Sequence, residues 1–247
     1  MQLENKSIIV TGGASGIGGA VSRELIARGA KVVAVDINED AGQALVNECG
    51  DSAAFLNGDV SDPETAKKAV ALAAEKFGKL DGLVNNAHAS RQKPFLELEK
   101  EDWELSFGTG FWATAQFMKA AYEELKKTKG AIVNYGSGSA MSGQTTQGAY
   151  ASAKEAIRGL SRVVANEWAE DGIRVNVISP LALTEGVEKW SKAQPEAYEK
   201  VKNQIPMGRY GDPAKDIAPV VAFLLSDDAR YISGQTVMAD GGTQKLY

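Results

Sequence analysis

Short apolar, β-branched runs alternate along the chain with longer stretches whose apolar positions recur at helical spacing. Strands are expected at 7–12 (SIIVTG), 31–36 (KVVAVD), about 53–59, 80–87 (LDGLVNNA), 130–137 (GAIVNYGS), 172–180 (GIRVNVISP) and 235–242 (QTVMADGG). Helices are expected between them, from about 16 to 28, from about 40, from Asp62-Pro63 and from about 149 to 170. Asp62 before a proline at the first helical position is a start signal. Apolar strands that each follow a helix predict a parallel sheet covered on both faces, and right-handed crossovers make it doubly wound.

No linker, charge block or repeat divides the 247 residues, so one domain spanning 1–247 is expected. The composition is 44% hydrophobic and 24% charged, ordinary for a globular protein. With 27 Lys+Arg against 32 Asp+Glu the net charge is −5, which argues against a nucleic-acid partner. A single cysteine, Cys49, excludes an intrachain disulfide, and a single histidine, His88, excludes multi-histidine metal sites, so no metal is expected. No apolar run approaches ~20 residues and the N-terminal segment lacks a signal-peptide core, so a cytoplasmic protein without a membrane partner is expected.

The first strand runs into Thr11-Gly12-Gly13-Ala14-Ser15-Gly16-Ile17-Gly18 and then a helix. Glycines allow a tight turn and close approach of a pyrophosphate, and a helix N-terminus offers free N–H groups and a positive dipole end. The spacing differs from G-x-G-x-x-G, and a ligand-free turn is the alternative. Asp36 ends the second strand, where a carboxylate accepts hydrogen bonds from the 2′- and 3′-hydroxyls of an adenosine and repels a 2′-phosphate. Ile37 follows it and the glycine loop has no arginine, so NAD(H) is expected over NADP(H).

Tyr150 and Lys154 are four residues apart, about one helical turn, and Ser137 precedes the tyrosine by thirteen. A phenol titrates near ~10 in water and a neighbouring cation favours its anion, so the pair reads as an acid/base for neutral pH. A nearby serine hydroxyl can hold a carbonyl or alcohol oxygen.

These pieces occur in an order and spacing that resemble the short-chain dehydrogenase/reductase family along almost the whole chain. They are TGGASGIG, Asp36, Asp59-Val60, Asn85-Asn86-Ala87, Ser137, Tyr150, Lys154 and the tail from Ile205 to Gly242. The resemblance implies a Rossmann-like domain with a seven-stranded parallel sheet. It also implies Gly12, Ser15, Gly16, Ile17, Gly18, Asp36 and Ile37 at the dinucleotide, with Asp59 and Val60 at the adenine. Asn85 and Ala87 line the cofactor, and Pro180, Leu183 and Thr184 lie near the nicotinamide. Tyr150 is then the acid/base, Lys154 holds the nicotinamide ribose and depresses the tyrosine pKa, and Ser137 orients the substrate oxygen.

Three positions depart from the family pattern. His88 stands where Asn-Asn-Ala is usually followed by glycine, as a polar substrate partner or as a ring packed under a loop; with a pKa near ~6.5 it would add a pH dependence. Gly110, seven residues after Trp103, stands where a helix asparagine completes the catalytic set. A second water, or a carbonyl exposed by a local bulge, is expected to take over that role. Leu181 replaces the glycine after Pro180, and a leucine at positive φ would alter the backbone over the nicotinamide.

Residues from about 184 to 206 resemble the segment that closes over substrate, with Trp190 within it. Gln144 and Gln147 are further substrate candidates, whereas Phe111 and Trp112 are expected to pack inside. The resemblance implies a homotetramer joined partly through the 149–170 helix. The expected activity is hydride transfer between NAD(H) and a small or medium ketone or secondary alcohol. A 3-oxoacyl-carrier-protein reductase and a catalytically weak NAD-binding protein are the alternatives.

Overall fold

The computed structural model describes residues 2–245, so Met1, Leu246 and Tyr247 at the ends of the 1–247 span lie outside the described residues. Seven strands form one parallel sheet in the order β3-β2-β1-β4-β5-β6-β7. They are β1 (Ser7–Thr11), β2 (Lys31–Asp36), β3 (Ala53–Asn57), β4 (Gly82–Asn85), β5 (Ala131–Tyr135), β6 (Arg174–Pro180) and β7 (Thr236–Ala239). Each expected strand is present, trimmed at its ends where turn residues begin.

The strands are apolar on both sides because both faces are covered. Ile8 and Val10 of β1 enter one core with Val21, Leu25, Val221 and Leu224, while Ile9 enters the other with Phe117, Met118 and Ala121. The first core is roofed by α1 (Gly16–Ala27) and a late helix, Ala218–Leu225. The second lies under α3 (Pro63–Phe77), α5 (Ala113–Thr128) and α7 (Gly148–Glu167), while α2 (Glu39–Cys49) packs beside β3. Each such buried side chain contributes roughly 1.5–3 kcal/mol. Asp62 caps α3 by accepting from Glu64 N–H, with Pro63 at its first position.

The chain runs outward from β1 to β3, then crosses back to place β4 on the other side of β1. That reversal opens a crevice at the carboxyl ends of β1 and β4, the place where such sheets bind ligands. The loops after β1, β4, β5 and β6 all emerge there.

Candidate active site

Thr11 ties the crevice together. Its hydroxyl donates to Val84 O and accepts from the N–H groups of Asn86 and Ala87, joining the ends of β1 and β4. Asn86 donates back to the carbonyls of Thr11 and Gly12. The side chain of Asn85 points elsewhere: it donates to Asn134, which donates to Ser161, a buried polar ladder under α7. Asn85 therefore has its amide nitrogen committed to the fold, while its buried Oδ1 has no hydrogen-bond partner.

The glycine turn is shaped as a cradle. Gly12 has φ +62°, and a Cβ on Gly18 would stand 2.0 Å from Gly12 O, so the helix start can pack on the turn only without a side chain. Gly16 faces the opposite situation: a Cβ there would meet nothing within 4 Å. Ser15 precedes α1 without capping it, and the first turn carries no acidic residue. Open space in front of an uncapped helix N-terminus fits a pyrophosphate. Asp36 is held at the rim by N–H groups of Ala14 at 3.2 Å and Asn38 at 3.1 Å. Ile37 beside it is exposed, Val60 is buried, and Asp59 turns its carboxylate to Ser61. The residues present thus suit a dinucleotide, with the Asp36 carboxylate at the rim of the cradle.

Ser137, Tyr150 and Lys154 converge at the carboxyl end of β5. Ser137 follows β5 and starts the short helix α6 (Gly138–Met141), while the other two lie on the first turns of α7. The ammonium nitrogen of Lys154 is 5.8 Å from the centre of the Tyr150 ring and donates to Tyr135 O at 2.9 Å. Lys154 is only 4% exposed, and burial pulls its pKa down to about 7. Burial pushes the Tyr150 phenol up, partly offset by a hydrogen bond with Ser137. The expectation of a tyrosine lowered by its neighbouring cation is therefore not met. Desolvation outweighs an ammonium that is turned to the Tyr135 carbonyl. Ser137 also shares a hydrogen bond with Ser139 (2.8 Å), which donates to Gln147 (2.8 Å).

His88 and Gly110 meet at the same spot. The His88 ring stacks on Tyr150 with centroids 5.0 Å apart and planes at 25°. Its Nε2 is 2.9 Å from the hydroxyl of Ser106, the last residue of α4 (Lys100–Ser106). Between α4 and α5 the six residues Phe107–Trp112, Gly110 among them, form a π-helical segment. Burial foremost, then the charge of Lys154, pulls the histidine down to about 2. The expected pH dependence near neutrality is thereby corrected, because this imidazole stays neutral throughout the working range.

The same shift has a consequence for stability. The unfolded chain takes up a proton near pH ~6.5 and the folded one does not until about 2, so stability falls as pH drops below 6.5. The slope is up to about 1.4 kcal/mol per pH unit. Thermal or urea unfolding between pH 7 and 4.5 is expected to show a shallower acid loss in His88→Gln than in the wild type; parallel losses would contradict it.

Comparison with known proteins agrees with this geometry. A family model described as enoyl-(acyl carrier protein) reductase matches residues 12–244. The chain is 40% identical to a 12alpha-hydroxysteroid dehydrogenase of a Clostridium species, covering 97% of this chain and 96% of that one. It is 36% identical to a D-threitol dehydrogenase of Mycolicibacterium smegmatis (98% and 94% covered) and 35% identical to a 3-oxoacyl-[acyl-carrier-protein] reductase of Escherichia coli (98% of each covered). A crystal structure of a short-chain dehydrogenase/reductase, a glucose/ribitol dehydrogenase from Brucella melitensis, superposes with a TM-score of 0.92 at 31% identity over 99% of each chain. The chain belongs to the short-chain dehydrogenase/reductase family. It is an oxidoreductase of the dehydrogenase/reductase kind, and the family uses nicotinamide dinucleotides.

In this short-chain dehydrogenase/reductase the outer wall differs from what the sequence suggests in several places. Leu181 is not at positive φ: among the described residues only Asn5, Lys129 and Thr146 are non-glycines there. Leu181 instead prolongs β6, donating to Ala239 O and accepting from Gly211 N–H, while Leu183 donates to Gly211 O. Beyond the end of β6 the chain thus stays tied by single backbone bonds to Ala239 and Gly211. Thr184 caps α8 (Glu185–Ala193) by accepting from Val187 N–H. Pro195 then starts α9 (Pro195–Lys202), so the 184–206 segment contains two helices. Trp190 packs edge-on against Tyr198, which stacks on Tyr210, fastening this cover to the body.

Gln147 is buried and spent on Ser139, whereas Gln144 is exposed on the connecting loop. Trp112 is 56% exposed, contrary to the expectation that it packs inside. The π segment rotates it outward and leaves Phe111 half-buried. Ala149 and Ala153 of α7 are buried in the chain's own core. Ser139 and Ser106 were not singled out from sequence. Ser139 is two residues beyond Ser137, and Ser106 precedes Gly110 by four, a spacing that placed it on the same helix face.

Proposed function

We propose that residues 1–247 form one catalytic domain that transfers a hydride between NAD(H) and a small or medium ketone or secondary alcohol. The convergence of Ser137, Tyr150 and Lys154 beside the cradle after β1 carries this reading. When bound, the nicotinamide supplies or accepts the hydride. Tyr150 exchanges a proton with the substrate oxygen through its phenolic oxygen. Ser137, hydrogen-bonded to Ser139 and offsetting part of the rise of the Tyr150 phenol, holds that oxygen. Lys154 has three N–H donors; the Tyr135 carbonyl takes one, leaving donors for the ribose hydroxyls. Those added hydrogen bonds favour the charged lysine, which in turn favours the tyrosinate.

Asp36 supports NAD(H). Pro180, Leu183 and Thr184 line the nicotinamide side, Asp59 and Val60 the adenine side, and Asn85 and Ala87 contribute through their backbones. The relatives named for hydroxysteroid and threitol dehydrogenation support an alcohol or carbonyl substrate. Trp190 of the cover and the exposed Gln144 are candidates to contact it. A homotetramer in the cytoplasm is the assembly and location we assign by family resemblance, with no nucleic-acid or membrane partner. Among the described residues no helix is long and apolar enough to cross a membrane, and no cluster of ligating side chains could hold a metal.

Initial rates with NADH and NADPH against a panel of cyclic ketones, oxosteroids, hydroxyketones and oxoesters test the reading. Turnover with NADH is expected to exceed that with NADPH. Asp36→Ala is expected to raise the KM for NADH by roughly 10–100-fold, the worth of hydrogen bonds to a carboxylate, and to improve NADPH. A wild-type preference for NADPH would overturn the cofactor assignment.

A further inference from the structure

His88 and Gly110, two separate departures from the family pattern in sequence, occupy one volume in space. A Cβ built on Gly110 would stand 3.0 Å from Cε1 and Nε2 of His88 and 3.2 Å from its Nδ1. These contacts are to a ring fixed from both sides, by stacking on Tyr150 and by the hydrogen bond to the fully buried Ser106. The ring therefore cannot yield cheaply to a side chain at position 110, and a glycine there is what admits it.

The approach of the two segments is also built. Thr109 accepts from Ala89 N–H at 2.9 Å and its hydroxyl lies within reach of Ala89 O and Leu105 O. The residue after His88 is thereby stitched to the residue before Gly110. Farther along the same loop, Arg91 and Lys93 pair with the buried Asp102 of α4, and Lys93 N–H donates to Thr146 O on the segment leading to Tyr150. The loop after β4 is thus anchored to α4 and to the segment that leads into α7.

A polar atom of the ring itself has no partner. Nδ1 of His88 is buried and makes no hydrogen bond, although Nε2 is engaged with Ser106. Whichever way the proton lies between Nε2 and Ser106, Nδ1 offers one acceptor or one donor beside Tyr150.

We propose that His88 and Gly110 are an exchanged pair in which the imidazole, supplied from the end of β4, takes the place of the missing helix amide as the positioning residue for Tyr150. Its ring fixes the plane of the phenol, and Nδ1 provides the hydrogen-bonding site that the amide would have given to the proton relay of Tyr150 and Lys154. Gly110 is then the accommodation for the ring, and the intact relay needs no asparagine. This rests on the reading of Tyr150 as the acid/base.

Four proteins test the exchange: the wild type, Gly110→Asn, His88→Gly and the double variant with both changes. Gly110→Asn alone is expected to lower kcat at least ~10-fold and the thermal midpoint by about 5 °C, because the new side chain must displace the ring. His88→Gly alone is also expected to lose activity. The double variant is expected to recover well above the product of the two single effects, with a coupling of at least ~10-fold. Strict multiplication of the single effects, or a Gly110→Asn protein as stable as the wild type, would overturn the exchange. The thermal comparison needs no substrate, so it decides the packing half even if no turnover is found.

His88→Phe separates positioning from mere filling. It keeps a ring of similar size but has no nitrogen. A lower kcat with KM nearly unchanged and a displaced pH–rate profile, in a protein that still quenches NADH fluorescence on binding, is expected. Wild-type kcat and pH profile in His88→Phe would reduce the histidine to packing. An active Tyr150→Phe enzyme would instead strike the reading on which the proposal rests, leaving the two failures distinguishable.

Discussion

Replacing Tyr150 by phenylalanine is expected to lower kcat by about 10³-fold while leaving NADH binding within about threefold of the wild type. The substitution removes one oxygen from a ring whose position is otherwise secured by the His88 stack and the start of α7. The protein therefore folds and the dinucleotide cradle, more than one strand away, is untouched. What disappears is the phenol that, in the proposed reaction, exchanges a proton with the substrate oxygen. Ser137 cannot substitute, since its hydroxyl titrates far above the working pH and is tied to Ser139. Steady-state rates and NADH fluorescence titration on the same preparation check this. A variant retaining more than a tenth of wild-type kcat would remove Tyr150 from the chemistry.

Lys154→Met is expected to produce opposite changes in activity and stability. Lys154 is almost fully buried with a single hydrogen bond to Tyr135 O, and its pKa is drawn down to about 7 from the ~10.4 of a free lysine. A depressed lysine pKa means that the unfolded chain binds a proton that the folded chain gives up. The cost is full below pH 7, reaching an upper limit of about 5 kcal/mol, and fades as pH rises through 7 toward 10. Methionine fills a similar volume without that cost, and leaves the Tyr135 carbonyl short of a partner at roughly 1–3 kcal/mol. The thermal midpoint is therefore expected to rise by about 4 °C at pH 6.5 and to show no gain at pH 9.5. Turnover should fall by at least ~10²-fold, because the cation that favours the tyrosinate is gone. Differential scanning calorimetry at the two pH values decides it: a midpoint below the wild type at pH 6.5, or a gain that does not depend on pH, contradicts the argument. The lysine thus illustrates a site that is held at the expense of stability for the sake of chemistry.

Much of the architecture was legible along the chain because it depends on neighbours a few residues apart. The period of the apolar positions distinguishes strand from helix, and Asp62-Pro63 starts α3 through contacts within one turn. The glycines after β1 follow from the steric demand of a turn that presses a helix start onto Gly12 O. Tyr150 and Lys154 share a face because helical spacing puts them there, and the order of the family's motifs extends the inference to Ser137. A local bulge near Gly110 was one of two expectations raised by the missing amide, but the π segment over Phe107–Trp112 was not itself legible.

What only the tertiary structure decided is what depends on residues distant in sequence. Position 88 and position 110 lie 22 residues apart, and nothing local says that one fills the space of the other. Leu181 keeps an extended backbone because Ala239 and Gly211 pair with it from two other segments. Trp112 faces outward because the π segment changes the phase of the helix by about one residue. The pKa directions at Tyr150, Lys154 and His88 reverse or extinguish what their free values suggest, because burial is a property of everything packed around a group. Reading along the chain was enough for the alternating strands and helices, the glycine turn and the Tyr150–Lys154 spacing, which are set by short-range geometry and periodicity, with the order of the family's motifs supplying the rest. The tertiary structure decided how those side chains are charged and braced, since solvent exclusion and steric fit arise only when remote segments close on one another.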